Sequence, residues 1–135
     1  MLTVLDSTVL IDYLRGRPAV ERVAALRTAG DVPATTSVNV EEIVRGLRPS
    51  EVDAAQRLFR GLVILPLDAR TAWQAGTWRR EHAERGTTLW QADCLIAAAT
   101  LLSAGTLATG SPEDFPMAGL RVEHWPVGEQ RVARP

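Results

Sequence analysis

The chain opens with MLTVLDSTVLIDYLRG over residues 1–16, and this stretch decides the fold. The apolar run Leu2 to Leu5 stops at Asp6, which is typical of a buried strand with an acid directly after its carboxyl end. Ser7 or Thr8 is then predicted to cap a short helix. A strand, an acid and a helix in this order indicate an α/β unit.

Further along the chain, short apolar runs alternate with segments of helical spacing. The later predicted strands are Val32 to Thr35, Leu62 to Leu65, Leu107 to Thr109 and Leu120 to Trp125. Helices are predicted to begin near Ala19, Val40, Ser50, Asp68 and Ala92. This alternation predicts one α/β domain over residues 1–135, with a mostly parallel sheet of four to five strands and helices on both faces.

The composition is that of a globular protein. Of the 135 residues, 46% are apolar and 23% are charged, enough for one domain with a real core. Acids at Asp6 and Asp12 interrupt the first apolar run too early for a signal peptide or a membrane span. The single cysteine, Cys94, has no partner for an internal disulfide. We therefore expect a protein of the reducing cytoplasm.

Four acids stand where an open parallel sheet places its ligands, beyond the carboxyl ends of the strands. They are Asp6 after the first strand, Glu42 early in the helix after the second, Asp93 at the start of an apolar helix, and Asp114 beyond the strand ending at Thr109. Gathered carboxylates repel one another unless a cation neutralises them. Oxygen ligands favour Mg²⁺ or Mn²⁺, which activates water for attack on a phosphodiester.

Each acid also has an ordinary structural explanation. Asp6 is a candidate helix cap, and Glu42 is a candidate partner of Asn39 in a capping box. Asp93 would stabilise its helix dipole, and Asp114 would be a turn acid. The spacing of the acids alone leaves both interpretations open.

Four segments together resemble a known family. VLDSTVLIDYLRG (4–16), TSVNVEEIVRG (36–46), ADCLIAAA (92–99) and TGSPEDF (109–115), the last followed by GLRVEHW (119–125), look like the motifs of PIN-domain nucleases, specifically VapC-type toxins. In the second motif of that family a glutamate precedes the final glycine by four residues. This spacing selects Glu42 over Glu41.

The resemblance implies a PIN-like fold and an endoribonuclease dependent on Mg²⁺ or Mn²⁺. It also implies a VapB-like antitoxin as partner, and a homodimer that joins larger toxin–antitoxin complexes. Asp6 and Asp93 are then the core metal ligands, and Glu42 and Asp114 complete the site directly or through water. One departure is Ser111, where the family often has asparagine, so a polar contact beside the metal site is altered.

RNA binding must come from local clusters of arginine, because the net charge is −1. All fifteen basic residues are arginine. Those near the motifs or on the long fifth helix are the candidates for RNA contacts, with a solvated helix surface as the alternative. They are Arg15, Arg17, Arg45, Arg48, Arg79, Arg80 and Arg85. The four tryptophans would stack on unpaired bases or pack in the core or an interface.

The absence of lysine and of other motifs excludes several rival α/β proteins. Receiver-type phosphoacceptor domains and P-loop nucleotidases both need a lysine, and no GxxxxGK[ST] segment is present. The glycine-rich turn of a Rossmann cofactor site is also missing. Two alternatives remain: a catalytically silent PIN-like module for binding or regulation, and a nuclease that acts mainly on DNA.

Overall fold

The computed structural model describes residues 1–128 and contains one five-stranded sheet. The strands are β1 (Leu2–Leu5), β2 (Val32–Thr36), β3 (Val63–Leu65), β4 (Thr106–Thr109) and β5 (Arg121–His124). The helices are α1 (Ser7–Leu14), α2 (Ala19–Thr28), α3 (Ser37–Arg45), α4 (Val52–Arg60), α5 (Ala69–Glu84) and α6 (Gln91–Leu102). Short 3-10 helices cover Pro49–Glu51 and Pro112–Asp114. The predicted α/β class and strand number are confirmed.

The strand order is β3-β2-β1-β4-β5, and each neighbouring pair is parallel. The chain first builds outward from β1 through β2 to β3, then returns to place β4 on the other side of β1. The order therefore reverses between β1 and β4, and parallel sheets bind ligands at the carboxyl ends of strands on either side of such a reversal. Asp6 follows β1 at this point.

Alternate residues of the central strands point to opposite faces of the sheet, as strand geometry requires. Val4 and Leu107 lie in a core with α5 and α6, and Leu5 and Ala108 lie in a second core with side chains of α1 to α4. All four are fully buried. Helices on both faces are thus confirmed, and both layers need the near-continuous apolar runs that the sequence shows.

The helix start after β1 differs from the prediction. Asp6, not Ser7 or Thr8, occupies the cap position of α1, with an extended backbone (φ −71°, ψ 164°). Its side chain makes no capping hydrogen bond. The prediction of a Ser7 or Thr8 cap is therefore wrong, and the carboxylate is directed to other partners.

The capping box predicted for Asn39 and Glu42 is also wrong. Thr36 caps α3, and its hydroxyl accepts a hydrogen bond from the backbone N–H of Asn39 while the Asn39 side chain accepts from Thr36. Glu42 lies a turn further along the helix and has no part in the cap. In contrast, the predicted cap at Asp68 is confirmed, because its carboxylate accepts from the backbone N–H of Thr71.

Asp12 ties the end of the described chain to the first helices. It is 3% exposed, and its two oxygens accept hydrogen bonds from the backbone N–H of Ala19 at 3.0 Å and of Gly128 at 2.8 Å. A side chain at Gly128 would lie 2.6 Å from Cβ of Arg17, so the close approach requires glycine. Among residues 1–128, no helix is both long and apolar enough to span a membrane.

We predict that Asp12→Ala lowers the free energy of unfolding by about 3 kcal/mol, because it leaves two buried N–H groups without an acceptor. Urea denaturation followed by circular dichroism measures the change. Glu81→Ala, at an exposed position of α5, is the control and should change stability by less than about 0.5 kcal/mol. Equal effects of the two substitutions would contradict the role given to Asp12.

Candidate active site at the carboxyl ends of β1 and β4

Asp6 lies at the centre of the site and is 6% exposed. Its Oδ2 accepts hydrogen bonds from the hydroxyls of Thr109, at 2.8 Å, and Thr8, at 3.2 Å. Its Oδ1 accepts from Nδ2 of Asn39 at 3.4 Å. The carboxylate is therefore held by the end of β4, the first turn of α1 and the first turn of α3.

The direction of the two hydroxyl bonds follows from their other contacts. The Thr109 hydroxyl oxygen accepts from the backbone N–H of Ser111, and that of Thr8 accepts from the backbone N–H of Gly110. An N–H group can only donate, so each hydroxyl keeps its single hydrogen for Asp6. Both hydroxyls therefore donate to the Asp6 carboxylate.

Glu42 is half-buried on α3, and its Oε1 accepts a 2.7 Å hydrogen bond from the hydroxyl of Ser7. Ser7 in turn accepts from Nδ2 of Asn39 at 3.0 Å. Ser7, Thr8, Asn39 and Thr109 were not predicted as site residues. All four lie inside the motifs of the family resemblance, Ser7 and Thr8 directly after Asp6, and this position was the signal that could have found them.

Asp93 lies in the first turn of α6 and is half-buried. Burial, and to a smaller extent the charges of Asp114, Asp6 and Glu42, raise its pKa from the usual 3.8 to about 6. The three other acids are thus near enough to act on Asp93. The ion pairs found in residues 1–128 join Met1 to Asp31 and Arg45 to Glu41, so they neutralise none of the four acids.

Asp114 ends the 3-10 helix after β4 and is exposed. Its backbone N–H donates to the carbonyl of Ser111. Ser111, the departure from the family pattern, thus contacts the site through its backbone, with its N–H on Thr109 and its carbonyl on Asp114. The effect of this serine on metal binding stays a prediction.

The donor set suits a hard divalent cation in its chemistry, because it consists of carboxylates with unneutralised charge. In residues 1–128, however, no three or more His, Cys, Asp or Glu side chains are close enough together to hold a metal ion. Mg²⁺ commonly keeps several waters and takes only one or two protein carboxylates. The residues therefore fit a largely hydrated ion better than a closed cage of four acids.

Six of the seven candidate arginines are exposed, and Arg17 is half-buried. Arg79 lies close to the start of α6. Its Nε donates to the carbonyl of Leu89, in the loop before α6. Burial raises the pKa of the Cys94 thiol, and the charge of Arg79 acts against that rise, which places the guanidinium near the neighbour of Asp93.

Arg15 lies near a second acid. It lines, together with Glu42, a cavity of about 150 Å³ whose other walls are mostly apolar side chains of α1 and α3. A larger cavity of about 490 Å³ lies between α2 and β5, around Trp125, and none of the four acids lines it. We associate the smaller cavity with the chemistry because it shares Glu42.

Two of the four tryptophans are buried and two are exposed. Trp78 and Trp125 are each 6% exposed and belong to the two cores. Trp73 and Trp90 are 81% and 73% exposed. Packing is confirmed for the first pair, and base stacking stays a prediction for the second.

The PIN domain family model matches residues 3–115, which is most of the chain. The chain therefore belongs to the PIN-domain family. It is similar to two proteins of Mycobacterium tuberculosis. Ribonuclease VapC19 is 28% identical over 117 residues, which cover 86% of this chain and 94% of that protein. Ribonuclease VapC10 is 29% identical over 130 residues, which cover 96% and 90%.

Solved structures agree with the fold. A chain of the DNA-bound VapBC complex from Salmonella typhimurium superposes with a TM-score of 0.80, at 23% identity, over 93% of this chain and 99% of that one. A likeness at this identity establishes the PIN-like fold and leaves activity to be argued from the site.

The raised pKa of Asp93 predicts a pH-dependent effect of Asp93→Asn in metal-free protein. In the unfolded chain this acid ionises near pH 3.8, but in the folded chain it ionises near pH 6. Below pH 3.8 this acid is protonated in both states and does not lower the free energy of unfolding. As the pH rises from 3.8 to about 6, the unfolded chain loses this proton first, and the free energy of unfolding falls progressively.

Asp93→Asn should thus raise the melting temperature at pH 7.5 and have little effect at pH 4. Thermal melts with EDTA across this range measure the difference. Asp53→Asn, at an exposed position of α4, is the control and should show no such pH dependence. A uniform effect of Asp93→Asn at all pH values would show that burial and the neighbouring charges do not raise the pKa of Asp93.

Proposed function

We propose that this chain is the endoribonuclease toxin of a toxin–antitoxin pair, dependent on Mg²⁺ or Mn²⁺ and neutralised by a VapB-like antitoxin. The observation that carries the proposal is that Asp6 lies where the strand order reverses, and that its charge and those of Glu42 and Asp114 add to the effect of burial in raising the pKa of Asp93. Membership of the PIN-domain family supports a nuclease. The relatives named Ribonuclease VapC favour RNA as the substrate.

The acids have different parts in the proposed reaction. Asp6 and Asp93 would hold the cation, while Glu42 and Asp114 would complete its surroundings directly or through water. When bound, Mg²⁺ or Mn²⁺ supplies a Lewis acid that activates water and neutralises charge on the phosphodiester. Thr8 and Thr109 orient the Asp6 carboxylate for this role.

The substrate strand must approach a negatively charged site, so cations have to hold its phosphates. Arg79 and Arg15 are the candidate arginines that we favour, because the first lies near Cys94 at the start of α6 and the second lines a cavity that Glu42 also lines. Arg45 is partly engaged by Glu41 at 3.8 Å. We propose that Arg79 and Arg15 carry most of the RNA contact.

The partners belong to the same proposal. Several solved neighbours are toxin–antitoxin complexes, among them VapBC from Salmonella typhimurium and VapBC-5 from Mycobacterium tuberculosis. They support an antitoxin that covers this chain. A homodimer in a larger complex with the antitoxin is the assembly we propose.

We predict that Asp93→Asn lowers Mn²⁺-dependent cleavage of single-stranded RNA at least about 100-fold, because a direct metal ligand loses its charge. Asp6→Asn should do the same. Asp53→Asn, an exposed acid away from the site, should retain wild-type rates. Gel assays on labelled RNA with Mn²⁺ and with EDTA measure the rates.

The same assay decides between the alternatives. In a parallel assay on single-stranded DNA, faster cleavage of DNA than of RNA would replace the ribonuclease with a nuclease that acts mainly on DNA. A wild-type protein that neither binds Mn²⁺ in calorimetry nor cleaves either substrate would be a silent PIN-like module, and the proposal would fail.

We also predict that Arg79→Gln weakens RNA binding and lowers the slope of log affinity against log salt by about one unit. Arg80→Gln is the matched control, since Arg80 is an exposed neighbour on α5 but points about 100° away around the helix. Filter binding in EDTA at several salt concentrations measures both. Equal losses for the two variants would indicate a general charge effect and remove the special role of Arg79.

A further inference from the structure

Asn39 is fully buried and uses all of its side-chain hydrogen-bonding capacity. Its Oδ1 accepts from the backbone N–H of Thr36 at 3.4 Å and from the Thr36 hydroxyl at 2.8 Å. Its Nδ2 donates to Oδ1 of Asp6 at 3.4 Å and to the hydroxyl oxygen of Ser7 at 3.0 Å. An amide has two donor hydrogens and two acceptor lone pairs, and here each has a partner.

The orientation of this amide follows from its neighbours. The backbone N–H of Thr36 can only donate, so it must face the oxygen of Asn39. The carboxylate of Asp6 can only accept, so it must face the nitrogen. A flipped amide would place its oxygen against a carboxylate and leave a buried N–H without an acceptor.

The cap of α3 does not explain the hydrogen bonds that Nδ2 of Asn39 donates. The capping box needs the backbone N–H and the oxygen of this residue, and both are satisfied by Thr36. The two Nδ2 hydrogens are directed instead to Asp6 and to Ser7, whose hydroxyl donates to Glu42 at 2.7 Å. One buried side chain thus contacts one acid directly and reaches a second through a single hydroxyl.

We propose that Asn39 is a positioning residue that holds Asp6 and Glu42 in a set relative orientation, with Ser7 as the relay to Glu42. The inference rests on the proposed function for its consequence, which is that the two carboxylates are prepared for a shared cation. Asn39 itself touches neither substrate nor metal. It connects the start of α3 to the end of β1, so the spacing of the two acids follows from the backbone of both elements.

The first test needs neither metal nor RNA. In metal-free protein, Ser7→Ala removes the hydroxyl that holds Glu42, so ¹³C relaxation should show greater mobility of the Glu42 side chain than in wild type. The Asn39 side-chain amide hydrogens should exchange slowly with solvent in wild type and faster in Ser7→Ala. An equally ordered Glu42 in both proteins would overturn the proposal.

The second test is a double-mutant cycle on Mn²⁺ affinity, measured by calorimetry. Ser7→Ala should weaken Mn²⁺ binding about 10- to 100-fold, as is typical for partners that orient metal ligands. In a Glu42→Ala background the same substitution should have almost no effect, because Ser7 acts through Glu42. An undiminished effect in that background would contradict the relay.

Asn39→Leu extends the test to the positioning residue, because leucine keeps the branched shape and removes both donors, along with the oxygen that Thr36 uses. It should weaken Mn²⁺ binding more than Ser7→Ala, since both acids lose their support. Thr71→Val is the control: Thr71 is also buried and its hydroxyl donates to Asp68 at a helix cap remote from the acids. It should leave Mn²⁺ affinity unchanged.

The outcomes separate the two proposals. Wild-type protein that binds no Mn²⁺ and cleaves no RNA would refute the proposed function, while the relaxation of Glu42 would still decide the positioning role. If Asn39→Leu does not fold, Ser7→Ala and the amide exchange of Asn39 carry the decision. Normal Mn²⁺ affinity in a folded Asn39→Leu variant would overturn the inference.

Discussion

The hydrogen bond from the Thr109 hydroxyl to Asp6 joins the carboxyl ends of the two strands between which the strand order reverses. Asp6 is buried at this point, and burying a carboxylate is unfavourable unless donors replace its water. The replacement comes from three elements at once, because Thr8 and Asn39 also donate to it. The site is therefore assembled by the fold as a whole, and its geometry depends on the β1–β4 pairing.

Asp6 and Asp93 are both at least partly removed from water, but their surroundings differ. Asp6 is surrounded by hydroxyl and amide donors, whereas burial and three neighbouring charges raise the pKa of Asp93 to about 6. An acid in the second situation gains most from a cation, because the cation removes a repulsion that the protein leaves in place. Ionised Asp93 is thus unfavourable in the metal-free site, and a divalent ion would remove this electrostatic repulsion. This is consistent with a metal-dependent nuclease.

Much of the fold was predictable because its signals are local. The apolar runs before Asp6 and Thr109 predicted β1 and β4, and helical spacing predicted the covering layers. The helix caps were harder, since several neighbouring residues can each cap a helix and distant partners decide between them. The Asp6 carboxylate makes no capping bond and accepts instead from Thr109, 103 residues away. The oxygen of Asn39, in contrast, accepts from Thr36, a local partner.

The candidate site shows the same division between local and distant signals. Motif order and spacing selected the four acids, and the charges of Asp6, Glu42 and Asp114 contribute to the raised pKa of Asp93. The polar residues that orient them were not selected, because a serine or an asparagine in a helix has many ordinary roles. Asn39 illustrates the point: within α3 it is an unremarkable capping residue, and only the approach of β1 gives its nitrogen two partners. Its function in the site is a property of the tertiary structure, whereas its function in the cap belongs to the local sequence.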